Sequence, residues 1–185
     1  MRIEILKKRN ALSASEISEK SMVIQNRVIN SSQYKSARTI GAYFPIGSEV
    51  RTDHIISTAL ANQKVVLLPK TGSDKIAFFR IFQADFSAKK LVEGRFRILE
   101  PPTSSPYVSE NIDLLIVPGV GFDKYGYRIG CGKGYYDRFI KENDLHFSIG
   151  IGFDFQLLDR MLPHSAFDQR LDAIATERNV LVCQR

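Results

Sequence analysis

The chain has 185 residues, 44% of them hydrophobic and 25% charged, a balance that suits one globular domain and excludes disordered and collagen-like chains. Its two cysteines, Cys131 and Cys183, have no Cys-x-x-Cys spacing and no histidine cluster beside them, which argues against zinc and against a disulfide scaffold. Lys and Arg outnumber Asp and Glu by 26 to 20, and the net charge of +6 suits nucleic acids, nucleotides and small polyanions alike.

Met1 to Arg9 is charged and lacks the apolar segment of a secretory signal, and no uncharged stretch approaches the ~20 residues of a membrane-spanning helix. A cytoplasmic protein without membrane contact is expected. Lys7-Lys8-Arg9, the one basic run, reads as a solvated helix face; no basic cluster interleaves with aromatics, so no nucleic-acid partner is expected. A capping box, Ser13-x-x-Glu16, opens a helix predicted to run to about Ser32, with Ile17, Ile24 and Val28 on one face. Thr39–Phe44, ended by Pro45, and Val65–Leu68, ended by Pro69, read as buried strands. Ile55, Ile56, Ala59 and Leu60 between them have helical spacing, which makes a βαβ unit. Ile76–Phe82 and Arg95–Leu99 are expected to be strands flanking the main sheet, and Pro101–Pro106 a loop. Leu114–Val117 is another buried strand, Tyr135, Tyr136, Phe139 and Ile140 mark a helix, and Ser148–Phe153, Ala173–Thr176 and Val180–Cys183 close the chain as strands. Strands alternating with helices predict a single α/β domain over 1–185: a mainly parallel sheet with helices on both faces, Rossmann-like and three-layered, with a few antiparallel strands. Its ligand crevice should lie beyond the carboxyl ends of the strands, so the chemistry is expected after Phe44 and after Val117.

The second of these strand ends holds six of the twelve glycines, between Pro118 and Asp137. Gly130, Gly132 and Gly134 alternate, a spacing that permits positive φ and lets backbone N–H groups converge on an anion. The helix starting at Tyr135 adds its N-terminal dipole, and Arg128 and Lys133 add full charges, so phosphate is the expected guest. Walker A is excluded because Tyr127 and Gly134 stand where it needs Gly and Ser or Thr. The dinucleotide fingerprint is excluded because its third glycine comes one residue early. Asp137, in the first helical turn, suits either the helix dipole or Mg²⁺, which nucleotide sites hold with one or two carboxylates. Asp123, Asp154, Asp168 and Asp172 are all open as the second acid.

Gly119 to Asp137 resembles the motif of the 5-formyltetrahydrofolate cyclo-ligase (methenyltetrahydrofolate synthetase) family. The resemblance is close over Asp113–Phe139 and weaker over most of the chain, including Ala11-Leu12-Ser13 and Asp172-x-x-x-Thr176-Glu177. It implies an α/β enzyme that uses ATP as co-substrate and Mg²⁺ to cyclise 5-formyltetrahydrofolate to 5,10-methenyltetrahydrofolate, releasing ADP and phosphate. Position by position it implies that Arg2 and the run Arg128, Ile129, Gly130, Cys131, Gly132, Lys133, Gly134, Tyr135 and Tyr136 hold ATP, with Arg128 and Lys133 as the catalytic cations. Asp137 and Asp168 are implied at the metal, and Glu49 and Phe44 at the pterin. Phe122, Tyr135 and Tyr136 either line the folate site or belong to the core; Tyr136 and Phe139 also have the spacing of a buried helix face. The family usually has a Lys four residues before the Arg matched by Arg2, often a larger or basic residue in place of Cys131, and in many members His in place of Phe167. These departures keep a second reading open, a catalytically weak member that binds nucleotide or folate. The expected partners are small molecules, 5-formyl folate with or without a polyglutamate tail and ATP, and the expected state is a monomer.

Overall fold

A computed structural model describes residues 1–87, 90–94, 99–102, 105–106, 111–143 and 145–184. Helix α1 (Arg2–Asn10) buries Ile5 and Arg9, so the basic run is not all solvated: Arg9 points inward. Helix α2 (Ala14–Asn30) starts at the capping box, where Ser13 N–H donates to Glu16 Oε2 at 2.8 Å and Glu16 N–H to Ser13 Oγ at 3.2 Å. Its buried face carries Ile17, Ile24 and Val28, each contributing roughly 1.5–3 kcal/mol. The helix stops at Asn30, short of Ser32, because Ser31 is extended and its hydroxyl accepts from Tyr34 N–H to cap a new helix, α3 (Ser32–Ser36).

Strand β1 (Thr39–Gly41), helix α4 (Asp53–Ala61) and strand β2 (Val65–Thr71) form the expected parallel βαβ unit. Strand β2 continues through Pro69, where the sequence predicts an end. The register of β1 on β2 finishes at Gly41 opposite Leu67, so on that side Pro69 forfeits no ladder bond. Strand β3 (Ile76–Ile81) joins the main sheet antiparallel to β2; helix α5 (Gln83–Ser87) and the short pair β4 (Val92–Glu93) and β5 (Leu99–Glu100) follow. Of the strand expected over Arg95–Leu99, residues 95–98 lie outside the described residues.

Next come β6 (Leu114–Val117), β7 (Gly121–Asp123), β8 (Arg128–Ile129), helix α6 (Tyr135–Glu142), β9 (Ser148–Ile151), β10 (Leu157–Leu158), β11 (Ala173–Ala175) and β12 (Val180–Val182). The main sheet has the order β12-β11-β9-β6-β1-β2-β3, parallel except for β12 and β3 at its edges, and β10-β7-β8 make a second small sheet. Alternate residues feed opposite faces: Leu114 and Ile116 join Ile24, Val28, Ile55 and Ile56 on one side, whereas Leu115 and Val117 join Phe78, Phe122 and Ile174 on the other. Helix α6 covers the second face, with Phe139 4.6 Å from the Phe78 ring. Phe122 is fully buried and fills hollows that only glycine leaves: a Cβ on Gly119, Gly150 or Gly152 would stand 2.5, 2.6 or 2.8 Å from its ring.

Strand β1 leads through α4 to β2 on one side, while β6, β9 and β11 lie on the other. The chain therefore leaves β1 and β6 in opposite directions and opens a crevice at their carboxyl ends.

Candidate active site

The loop after β1 is locked from beneath. Tyr43 is buried and donates its hydroxyl to Val50 O at 2.8 Å, and Thr52 Oγ1 donates to Tyr43 O at 2.6 Å. Polar residues on the inner face of α2 tie the following segment: Ser21 Oγ accepts from Arg51 N–H, and Gln25 Oε1 from the N–H groups of His54 and Ile55 at the start of α4. Glu49 sits in this clamp, with Oε2 accepting Ile46 N–H at 3.0 Å. Burial pushes its carboxyl above the usual carboxylate range, against the Ile46 hydrogen bond and the charges of Arg9 and Arg51.

The loop after β6 faces it. Gly119 O accepts from Gln156 Nε2 at 3.0 Å and, more weakly, from Arg9 Nη1 at 3.4 Å. Asp123 is fully buried; Oδ1 accepts from the N–H groups of Tyr125 and Tyr127, and Oδ2 from Leu162 N–H, which holds the turn leading into β8. From β8 the guanidinium of Arg128, 4% exposed, meets Asp137 Oδ2 at 3.0 Å. The loop then turns at Gly132 and Gly134, whose φ values of +94° and +62° suit glycine, and Gly134 begins α6.

Between the two loops is a cavity of about 400 Å³. Tyr43, Phe44, Ile46 and Glu49 form one wall, and Pro118, Gly119, Arg128, Gly130 and Cys131 another. Lys133, Gly134, Tyr135, Tyr136 and Asp137 close a third side, with Pro69, Thr71 and Ile76 at the sheet edge. An apolar slot with a few converging charges suits a flat heterocycle carrying anionic groups. Tyr136 lies in the field of both Glu49 and Arg128, and burial pushes its phenol far above the ordinary value. Tyr135 faces the cavity and also donates to Ser73 O at 3.3 Å, bracing α6 against the turn between β2 and β3. Tyr136 does both, lining the cavity while packing on the core cluster, whereas Phe139 packs on Phe78 and does not line the cavity. The surrounding protein and the Glu49 charge push the Cys131 thiol up, while Arg9 and Arg2 oppose them.

Ten of the fifteen residues singled out in the sequence line this cavity. Of the others, Arg2 stands behind the glycine loop, its Nη1 3.6 Å from where a Cβ on Gly132 would lie. Ile129 uses its backbone, with Val120 N–H donating to its carbonyl at 2.7 Å, and turns its side chain toward Gly121. Phe122 is a core residue and does not line the folate slot, because the hollow over three glycines encloses its ring. Asp168 lies near Arg128, whose charge it supports, and its neighbour Gln169 donates its N–H to Asp137 Oδ1 at 3.1 Å. This narrows the choice of second acid. Asp123 spends its oxygens on the backbone, Asp154 pairs with Arg178, Asp172 holds Ser148, and Asp168 Oδ2 accepts from Ser165 N–H and Oγ; of the four, Asp168 is the one whose sequence neighbour bonds to Asp137. Among the described residues no group of three or more His, Cys, Asp or Glu could hold a metal ion. Two carboxylates fit Mg²⁺ only when phosphate oxygens and water complete its shell.

Arg9 and Tyr43 were not legible as site residues. For Arg9 a signal existed: Arg2, Ile5 and Arg9 recur at i, i+3 and i+7, one stripe of α1. Ile5 packs on Gly121, close enough that a Cβ there would meet it at 3.0 Å, which aims both arginines at the crevice.

Residues 1–177 match the model of the 5-formyltetrahydrofolate cyclo-ligase family. A probable 5-formyltetrahydrofolate cyclo-ligase of Schizosaccharomyces pombe is 32% identical over 181 residues, covering 89% of this chain and 87% of the relative. The NMR structure of Aquifex aeolicus 5,10-methenyltetrahydrofolate synthetase is 34% identical, with a TM-score of 0.85 over 100% of this chain and 91% of the other. The corresponding synthetase of Mycoplasma pneumoniae is 30% identical, with a TM-score of 0.74 over 95% and 96%.

Proposed function

This chain belongs to the 5-formyltetrahydrofolate cyclo-ligase family and is an enzyme of that class, and from that premise we propose an ATP- and Mg²⁺-dependent route to 5,10-methenyltetrahydrofolate. The observation that carries the reading is the pairing, across one cavity, of a half-buried carboxylate with a cation-flanked glycine loop. Glu49 takes the pterin: its free lone pairs accept two N–H groups of the aminopyrimidine edge while Phe44 and Tyr135 flank the ring. Lys133, Arg128 and Arg2 take the phosphates together with the N–H groups at Gly132–Tyr135 and the start of α6.

The formyl oxygen then attacks the γ-phosphorus and ADP leaves. The second folate nitrogen closes on the activated carbon, giving up its proton, and phosphate departs with the oxygen. Phosphoryl transfer of this kind asks the protein for position and charge neutralisation rather than for a nucleophile. Lys133 and Arg128 supply the charge, and the Tyr43–Thr52 clamp and Gln156 supply the position. Asp137 and Asp168 would hold Mg²⁺, which when bound offsets phosphate charge. The proposed partners are small molecules only, and the proposed form is a cytoplasmic monomer. Omitting ATP or Mg²⁺ from a cyclisation assay tests the route: full conversion without either one refutes it.

A further inference from the structure

We propose that Arg9 is a positioning residue for the folate end of the site, fixing the Ser48–Glu49 turn from beneath and supplying the counter-charge that keeps Glu49 an acceptor. The proposal rests on the reading of Glu49 as the pterin ligand.

Arg9 is 8% exposed, which is unusual for a charged side chain and costly unless the charge is used. Its Nε donates to Ser48 Oγ at 3.2 Å, and its Nη1 lies 3.4 Å from Gly119 O. One guanidinium therefore touches both loops that wall the cavity. Ser48 Oγ in turn donates to Asn10 Oδ1 at 2.5 Å, so the end of α1 grips the turn through two consecutive residues. Arg9 makes no ion pair among the described residues. Its charge is spent through space, on Glu49, Cys131 and Tyr43. Lys7 and Lys8 already complement the C-terminal end of the α1 dipole from solvent, so that dipole does not account for a buried third cation.

The groups facing Glu49 are Arg9 from α1, Arg51 from its own loop, Tyr43 after β1, Cys131 from the glycine loop and Tyr136 from α6. Two of these are cations, and only Arg9 also bonds to the neighbouring Ser48. Neutralising it removes one of the two cations and releases the turn.

The test measures KM for 5-formyltetrahydrofolate and for ATP across pH in wild type, Arg9→Gln, Arg9→Lys and Glu49→Gln. Arg9→Gln is expected to raise folate KM about tenfold, the scale of one lost charge-assisted hydrogen bond. ATP KM stays within about twofold of wild type. The rise of folate KM on acidification begins at higher pH in Arg9→Gln, and Arg9→Lys restores it to wild type. A merely structural Arg9 would raise both KM values without moving the acid limb, and that result, or no change, overturns the proposal. If Arg9→Gln folds poorly, Ser48→Ala cuts the tie with Arg9 in place; an unchanged folate KM there also overturns it. A Glu49→Gln enzyme with wild-type folate KM overturns the proposal together with the reading beneath it. Wild-type behaviour of Arg9→Gln beside a crippled Glu49→Gln overturns the proposal alone.

Discussion

Replacing Glu49 by Gln is expected to weaken folate binding and raise stability at once. In the structure Oε2 already accepts Ile46 N–H at 3.0 Å, and Gln keeps that bond through its carbonyl oxygen. The other oxygen becomes an NH₂ group and meets the pterin donor with a donor. Hydrogen bonds to a charged partner contribute about 1.5–3 kcal/mol, so folate KM should rise roughly 10- to 100-fold. ATP KM should hardly move, because none of the cations proposed to hold the phosphates lies on the Glu49 loop. Stability goes the other way. Burial holds the Glu49 carboxyl above its ordinary value, so the folded chain binds that proton more tightly than the unfolded chain does. Ionisation then removes stability as pH rises through the folded value, and Gln escapes that loss. The variant should melt higher than wild type at neutral pH, with the gap closing as pH falls through the folded value toward the ordinary carboxylate range. Steady-state kinetics with each substrate and thermal melts at two pH values measure both effects. A lower neutral-pH melting temperature with equal losses for folate and ATP would refute the reasoning and make Glu49 a structural acid.

Three further perturbations separate roles in the cavity. Lys133→Ala should lower kcat by on the order of 10²-fold, the usual effect of removing a group that stabilises transition-state charge; a kcat within twofold of wild type removes Lys133 from catalysis. Phe122→Ala should cost about 3–5 kcal/mol in a denaturant melt while folate KM stays near wild type, because the ring fills the core rather than the slot. A stable variant with impaired folate binding would return Phe122 to the site. Asp168→Asn should raise the Mg²⁺ concentration needed for half-maximal rate without altering folate KM, and an unchanged Mg²⁺ titration would exclude Asp168 from the metal.

What the sequence disclosed and what it hid follow from physical causes. The buried strands were legible because Leu114–Val117 and Ser148–Ile151 are covered on both faces and so carry continuous apolar runs. Strand β2 was cut short at Pro69 because a local rule about missing N–H groups cannot know that β1 has already ended there. The glycine block suggested phosphate through its spacing, but Gly119 serves the Phe122 ring, and Gly126, where a Cβ would stand 2.3 Å from Leu171 O, serves a crossing backbone. Glu49 became a candidate only through family resemblance, since a loop acid becomes special by burial, which spacing does not encode. Arg9 was lost inside a basic run whose other members are solvated, although its spacing of four residues from Ile5 and seven from Arg2 marked the inward face.

The central claim is ring closure of 5-formyltetrahydrofolate driven by ATP. It is tested most directly by near-ultraviolet absorbance, where the methenyl product absorbs and the formyl substrate does not, after mixing the protein with 5-formyltetrahydrofolate, Mg²⁺ and ATP. The account predicts an absorbance rise that needs all three, accompanied by one ADP per methenyl group formed. A folded protein that binds folate and nucleotide yet gives no rise at saturating concentrations would contradict it and leave a binding protein on the enzyme's fold.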